Sequence, residues 1–464
     1  MDRGAQAMTA TLNARCMTLA LGAWWAVGAG AARAETPTPA AAPADDRYQF
    51  TDGASETQHL TLAATATGAR ATWPAPATKD WDTALVGVTV SAAAEKGEAW
   101  IDVTAGAARV RQHLDAGARG LRWLNVSPLR PALAGGAPIE FAAHGTALRP
   151  ATVVVRLFAN HVPRGRPLLV LAPHPDDAEI AAFGFYAGQP ATIVTVTAGN
   201  AGDANYRDDF PDDAEQYAFK GYLRAVDSVT VPWQGGIPPQ RCFNLGYFDA
   251  RLQDMHDKPD AVVAEMYGPN QDVARYRRVN LSHLLPNSAR TATWAHLVED
   301  LATILRKVRP AVIVMPHPIL DEHPDHDFVT VAAAQALERW KQPVMILLYS
   351  NHSAGNRQPY GPAETDVSLP PWSSRALNVQ RVYSHPVDKE LRRRKLYALE
   401  SMHDLRLSPS EQSCGPGPRR PDYPRTPDVD YFRRGPRPEE MFFVYDRAGL
   451  KTTVSDFLAH PPAP

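Results

Sequence analysis

The stretch Pro167-Leu168-Leu169-Val170-Leu171, followed after Ala172 by Pro173-His174-Pro175-Asp176-Asp177-Ala178-Glu179, decides how this chain is read. A continuous apolar run of that length has the composition of a strand buried on both faces, as in a parallel sheet. The two prolines that follow have no N–H to donate and end the strand, and Ala178 to Tyr186 is compatible with a helix. Working outward, Thr192–Val196, Ala311–Met315 and Val344–Leu348 repeat the buried-strand pattern. Helix-compatible stretches lie at Gln216 to Val226, Thr293 to Val308 and Val329 to Trp340. Strands alternating with helices predict an α/β layer built on a mostly parallel sheet.

A second polar cluster, His323-Pro324-Asp325-His326, is reached from the strand ending at Met315 through Pro316-His317-Pro318. In a parallel sheet both clusters emerge at the carboxyl ends of strands, the edge at which α/β proteins bind ligands. Alone, each His-Pro-Asp turn is equally well a capped loop. Together, after two buried strands, they predict one site.

The residue types suit a borderline metal. Neutral imidazole and carboxylate oxygen are ordinary zinc ligands, and three protein ligands leave a position for water. His174, Asp177 and His326 supply two nitrogens and one oxygen for one Zn2+, with other divalent metals as alternatives. Asp176, adjacent to a ligand, is placed to take a proton from water. His323 either stabilises a developing oxyanion or protonates a departing amine, and Asp325 is expected to accept its other ring N–H.

His174-Pro175-Asp176-Asp177 with Glu179, and far downstream His323-Pro324-Asp325-His326, resembles the PIG-L/LmbE-like deacetylases, zinc-dependent enzymes that remove N-acetyl from N-acetylglucosamine units. The resemblance spans roughly Arg166 to Leu405. It implies a Rossmann-like deacetylase domain over 166–464, metal ligands His174, Asp177 and His326, Asp176 as general base, and His323, supported by Asp325, facing the tetrahedral intermediate. Weaker correspondences imply substrate contacts: Asp249 in Leu245-Gly246-Tyr247-Phe248-Asp249, Arg224 on the helix after the second strand, and His403 at the end of a late helix. The expected activity is release of acetate from an N-acetylglucosamine-type sugar in a glycan or glycoconjugate. The alternatives are hydrolysis of another amide or ester, or an inactive glycan-binding protein.

Upstream, between Tyr48 and about Asn160, apolar residues come in short alternating runs such as Ala84–Val90, Ala99–Val103, Leu121–Val126 and Thr152–Leu157, separated by Gly, Pro and Asp. That spacing predicts an accessory all-β, sandwich-like domain over 48–162, whose tryptophans, Trp73, Trp81, Trp100 and Trp123, are read as core. It lies outside the minimal family unit. Residues 35–47 are a Pro/Ala/Thr-rich linker. In 1–34, Arg3 and Arg15 precede the apolar Met17–Ala32, and Ala32-Arg33-Ala34 follows the order of a secretory signal peptide. A retained membrane anchor is the other reading, and a start at Met17 would remove the basic region. The expected location is periplasmic or secreted, with no stable membrane span after cleavage.

Of 464 residues, 48 are Lys or Arg and 50 are Asp or Glu, giving a net charge of −2 and no long-range field toward nucleic acid. The basic run Arg392-Arg393-Arg394-Lys395 reads first as a solvated helix face, with contact to an anionic substrate as the alternative. Three cysteines exclude a disulfide scaffold; Cys16 falls in the signal region, and Cys242 and Cys414 are either one bridge or two separate thiols. Proline, at 42 residues, is about twice its usual ~5% share and predicts long ordered loops after Gly355 and Ser408.

Overall fold

A computed structural model describes residues 45–461 except 52, 54, 76–79, 92, 94–98, 116, 287, 289, 353–364 and 404–433. The expected signal segment, most of the linker, Cys16, Cys414 and much of the two long loops lie outside the described residues. The chain is a mixed α/β structure with several sheets, one of them mostly parallel. Among the described residues no helix is long and apolar enough to cross a membrane.

The mostly parallel sheet holds seven strands. They are β11 (Leu168–Ala172), β12 (Ala191–Thr197), β13 (Cys242–Tyr247), β14 (Val312–Pro316), β15 (Met345–Tyr349), β17 (Arg381–Pro386) and β18 (Glu439–Tyr445). Their spatial order is β13-β12-β11-β14-β15-β18-β17. Taken in chain order, the first five run 3-2-1-4-5 and are all parallel, which is the doubly wound pattern. The last two are antiparallel to β15 and to each other, respectively. β11 and β14 are neighbours, paired Leu168↔Val312 through Val170↔Val314, so the chain reverses its direction of winding between them. Both polar clusters emerge at that point, at the carboxyl ends of the strands, where doubly wound sheets bind their ligands.

Every residue of β11, β12, β13 and β14 is buried, which explains why β11, β12 and β14 read as apolar runs. Helices cover them: α2 (Asp177–Tyr186), α3 (Asp213–Thr230), α6 (Trp294–Val308), α7 (Pro324–Glu338) and α8 (Lys389–Glu400). Asp212 caps α3 by accepting the Glu215 N–H, and Thr293 caps α6 by accepting that of His296.

Residues 56–158 form two antiparallel sheets, one of four strands and one of five. Their inward residues, among them Val86, Leu124 and Val155 from one and Ile101, Val103 and Phe141 from the other, share one apolar core. Trp73, Trp81 and Trp123 are buried. Trp100 lies between the His144 ring, stacked at 4.6 Å, and the Arg111 guanidinium, also at 4.6 Å. The first strand, β1 (Tyr48–Phe50), does not join these sheets: it pairs in parallel with β16 (Leu377–Val379). Asn125 Nδ2 donates to Ser384 Oγ and Asn160 Nδ2 to the Val382 carbonyl, fastening the antiparallel sheets to β17.

The basic run on α8 is not a uniformly solvated face. Lys395 is buried and lies 2.7 Å from Glu440 on β18, whose carboxylate also accepts the N–H groups of Gly184 and Phe185. Cys242 begins β13 and is a buried free thiol.

Candidate metal centre

The loop after β11 is shaped by its own sequence. Pro173 and Pro175 end the sheet ladder, and Thr197 at the end of β12 donates both its N–H and its hydroxyl to the Pro173 carbonyl, each at 2.9 Å. Asp176 then takes φ 151° and ψ −31°, a conformation rarely adopted by a residue with a Cβ. Strain of this kind, of order 1–3 kcal/mol, collects at functional sites. It lets α2 start immediately, with Asp177 and Glu179 in its first turn, where the helix dipole favours anions.

The second loop uses Pro324 as the first residue of α7, where a missing N–H costs nothing. His323 is the cap: its Nδ1 accepts the Asp325 N–H at 3.2 Å. The proton of a neutral His323 therefore sits on Nε2. Burial, with His174 and His326 close by, holds its pKa well below the ordinary histidine range.

Three donor atoms meet between the loops. His174 Nδ1 is 3.3 Å from Asp177 Oδ2, His326 Nε2 is 3.1 Å from the same oxygen, and the two nitrogens are 3.2 Å apart. Ligand bonds of ~2.0–2.1 Å at tetrahedral angles place donor atoms roughly 3.3–3.4 Å apart, so this triangle fits a zinc-sized ion. His323 shares the neighbourhood: ligand atoms of His174, His323 and His326 all fall within 4.8 Å of one another.

The outer ring nitrogens are also held, as ligating histidines require. His174 Nε2 lies 3.1 Å from Asp249 Oδ1 and 3.2 Å from Asp325 Oδ2. His326 Nδ1 lies 3.1 Å from Asp321 Oδ2, an ion-pair distance rather than an aligned hydrogen bond. Burial opposes charge on Asp249, Asp321 and Asp177, yet the facing imidazoles hold all three below the usual carboxylate range. Against the same opposition, Asp177 and Asp321 raise His326 to about 10. Carboxylates thus outnumber the fixed cations, and the cluster offers a donor set able to hold a metal ion.

Asp176 stands beside the triangle. Burial pushes its pKa up to about 7 against the pull of Arg224, whose Nη2 is 2.9 Å from Oδ2. Arg224 is itself buried and also donates to the Pro175 and Gly199 carbonyls. Gly199 makes room for it: with φ +68°, a Cβ there would come within 2.8 Å of the guanidinium. Glu179 turns inward beneath α2, accepts the Tyr186 hydroxyl at 2.8 Å and is raised to about 8 by burial.

His174, Asp176, Asp177, Arg224, Asp249, His323, Asp325 and His326 are therefore all brought together. Two contacts differ from the sequence-based expectation. Asp325 does not accept a ring N–H from His323. Its carboxylate instead takes the N–H groups of Ala250 and Leu252 and approaches His174, because the first turn of α7 points toward the loop after β13. His403, with its side chain 53% exposed, pairs with Asp227 at 2.7 Å and makes no contact with the cluster among those described. Three residues escaped the motif reading: Asp321, Asn351 and His352. Their signal was position, since Asn351 and His352 directly follow the buried β15 at the same carboxyl edge.

Residues 169–337 match the family PIG-L, described as GlcNAc-PI de-N-acetylase. The matched stretch includes both polar clusters. No curated protein matches the chain. Among solved structures, this chain is similar to GalB, the 4-carboxy-2-hydroxymuconate hydratase from Pseudomonas putida KT2440, at 14% identity and a TM-score of 0.29, covering 51% of this chain and 78% of that one.

Proposed function

We propose that this protein is a metal-dependent hydrolase that removes the N-acetyl group from an N-acetylglucosamine-type sugar in a glycan or glycoconjugate, releasing acetate. The observation that carries the proposal is the donor triangle of His174, Asp177 and His326 at the switch point, with Asp176 beside it. Bound there, a divalent ion, zinc for this donor set, supplies Lewis acidity and lowers the pKa of a water toward ~7. The chain's own groups divide the remaining work. Asp176, oriented by Arg224, takes the water proton and later returns it to the departing amine. His323, neutral with its proton on Nε2, donates a hydrogen bond to the oxyanion that forms as water adds to the amide carbon. Its depressed pKa favours this role over that of a cationic acid. Breakage of the C–N bond leaves acetate and a free amine. Arg224, beside Asp176, and Asp249, beside His174, are the candidate contacts for sugar hydroxyls.

The PIG-L match supports a deacetylase acting on GlcNAc-like substrates. In this reading residues 166–464 are an LmbE-like catalytic domain, and 48–162 form an accessory β-sandwich-like domain. Residues 1–34 are an export signal that directs the enzyme to the periplasm or the medium. Sequencing the N-terminus of the secreted protein tests the last point.

Metal content and acetate release from N-acetylglucosamine oligomers test the activity. Stoichiometric metal with acetate release is expected. Bound metal without release from any acetylated sugar favours a hydrolase of another amide or ester, and absence of metal overturns the catalytic reading.

A further inference from the structure

The loop after β15 belongs to no motif, yet it reaches a candidate metal ligand directly. Asn351 is buried, and its side-chain amide donates to Asp177 Oδ1 at 2.8 Å and to the Asp177 carbonyl at 3.2 Å. The other carboxylate oxygen, Oδ2, is the one that faces both imidazoles and accepts the His174 N–H at 2.8 Å. The two oxygens thus have separate duties. Asn351 is fixed in turn by Asp321, which accepts its backbone N–H at 2.8 Å while approaching His326 Nδ1. Starting from one loop, a continuous chain of contacts runs through Asp321 to His326 and through Asn351 to Asp177.

We propose that Asn351 is a positioning residue that keeps Asp177 a one-oxygen ligand and so preserves an open position on the metal. The inference rests on the metal reading above. Carboxylates bind metals through one oxygen or two, and a second oxygen from Asp177 would occupy the place that a catalytic site leaves for water or substrate. The amide donor holds Oδ1 toward Asn351 and so opposes the rotation that would bring this oxygen to the metal as well. Partners of this kind typically change metal affinity by ~10–100-fold when removed.

The test uses the full chain stripped of metal and reloaded with cobalt(II), whose visible d–d bands are strong in four-coordinate tetrahedral sites and weak at higher coordination. Wild type is expected to give strong bands. Asn351→Ala is expected to weaken them and to lower metal affinity by ~10–100-fold in chelator competition. Asn351→Asp, which keeps the shape but cannot donate and adds a negative charge beside Asp177, is expected to weaken the bands as well. Asn351→Gln, which keeps the amide, is expected to restore them in part. A residue that merely pins the loop would lower the melting temperature and leave the cobalt spectrum unchanged; that result overturns the inference while the metal reading stands. Weak bands in the wild type also overturn it, with no variant needing to fold. Wild type that takes up no metal removes the metal reading itself.

Discussion

Two buried groups of charges lie at the two ends of α2, and they are built on opposite plans. Around Glu440, every oxygen has a donor: Lys395 Nζ at 2.7 Å and the N–H groups of Gly184 and Phe185 at 2.8 Å. Around His174 and His326, Asp177, Asp249, Asp321 and Asp325 face imidazoles instead of fixed cations, and three nitrogen and oxygen atoms converge on one point. The first group is closed and holds β18 to α2 and α8. The second has more carboxylates than fixed cations, and under the proposed reading that difference sets apart the cluster that holds the metal.

Substitutions can break that contrast. The largest effect is expected at Asp176→Asn, which removes a proton acceptor but no metal ligand: turnover should fall by ~10²–10⁴-fold with metal content unchanged. Loss of metal together with activity would move Asp176 into the ligand set. In the closed group, Lys395→Met strands the Glu440 charge and is expected to cost about 3–5 kcal/mol of stability, read by denaturant unfolding, with no change in metal affinity. Adding Glu440→Leu to it should recover only part, because the Gly184 and Phe185 N–H groups lose their acceptor. Gly199→Ala sits between the extremes: it pushes on Arg224 and, through it, on Asp176, so turnover should drop by about tenfold while metal affinity holds.

A last effect concerns pH. Burial, reinforced by Asp366, raises Glu439 from an ordinary 4.5 to about 8. The folded chain keeps this proton where the unfolded chain has released it. The stability contributed is therefore full below pH 4.5 and is lost as pH rises toward 8. In Glu439→Gln that slope disappears, so the melting temperature of the variant relative to wild type should climb between pH 4.5 and 8 and then level off. A difference independent of pH would show that the carboxyl is already ionised in the folded state.

Most of the sheet was legible because its central strands are buried on both faces, and burial of that kind writes itself as unbroken apolar runs. The switch-point site was legible for a related reason: prolines and acids placed directly after such runs have few structural uses. The antiparallel strands β17 and β18 were missed, as was β13. Arg381–Pro386 mixes Arg, Ser and His among its apolar residues, and pairing at the far end of a sheet depends on partners distant in sequence. β1 shows the same limit, since nothing in Tyr48–Phe50 announces a partner at Leu377–Val379. Asp325 was read as a partner of His323 because they are neighbours in sequence, whereas the helix start turns its carboxylate toward another loop. Asp321 and Asn351 were invisible as partners because the fold alone brings their loops together.

The adjacency of β11 and β14 has a kinetic consequence. Leu168 pairs with Val312, so the two halves of the donor triangle come together only once two strands distant in sequence have paired. Such long-range pairing forms late and slowly. The triangle is thus absent from any partly folded chain that lacks this strand pair, and under the proposed metal reading its uptake during refolding would be a clock that starts when the centre of the sheet closes.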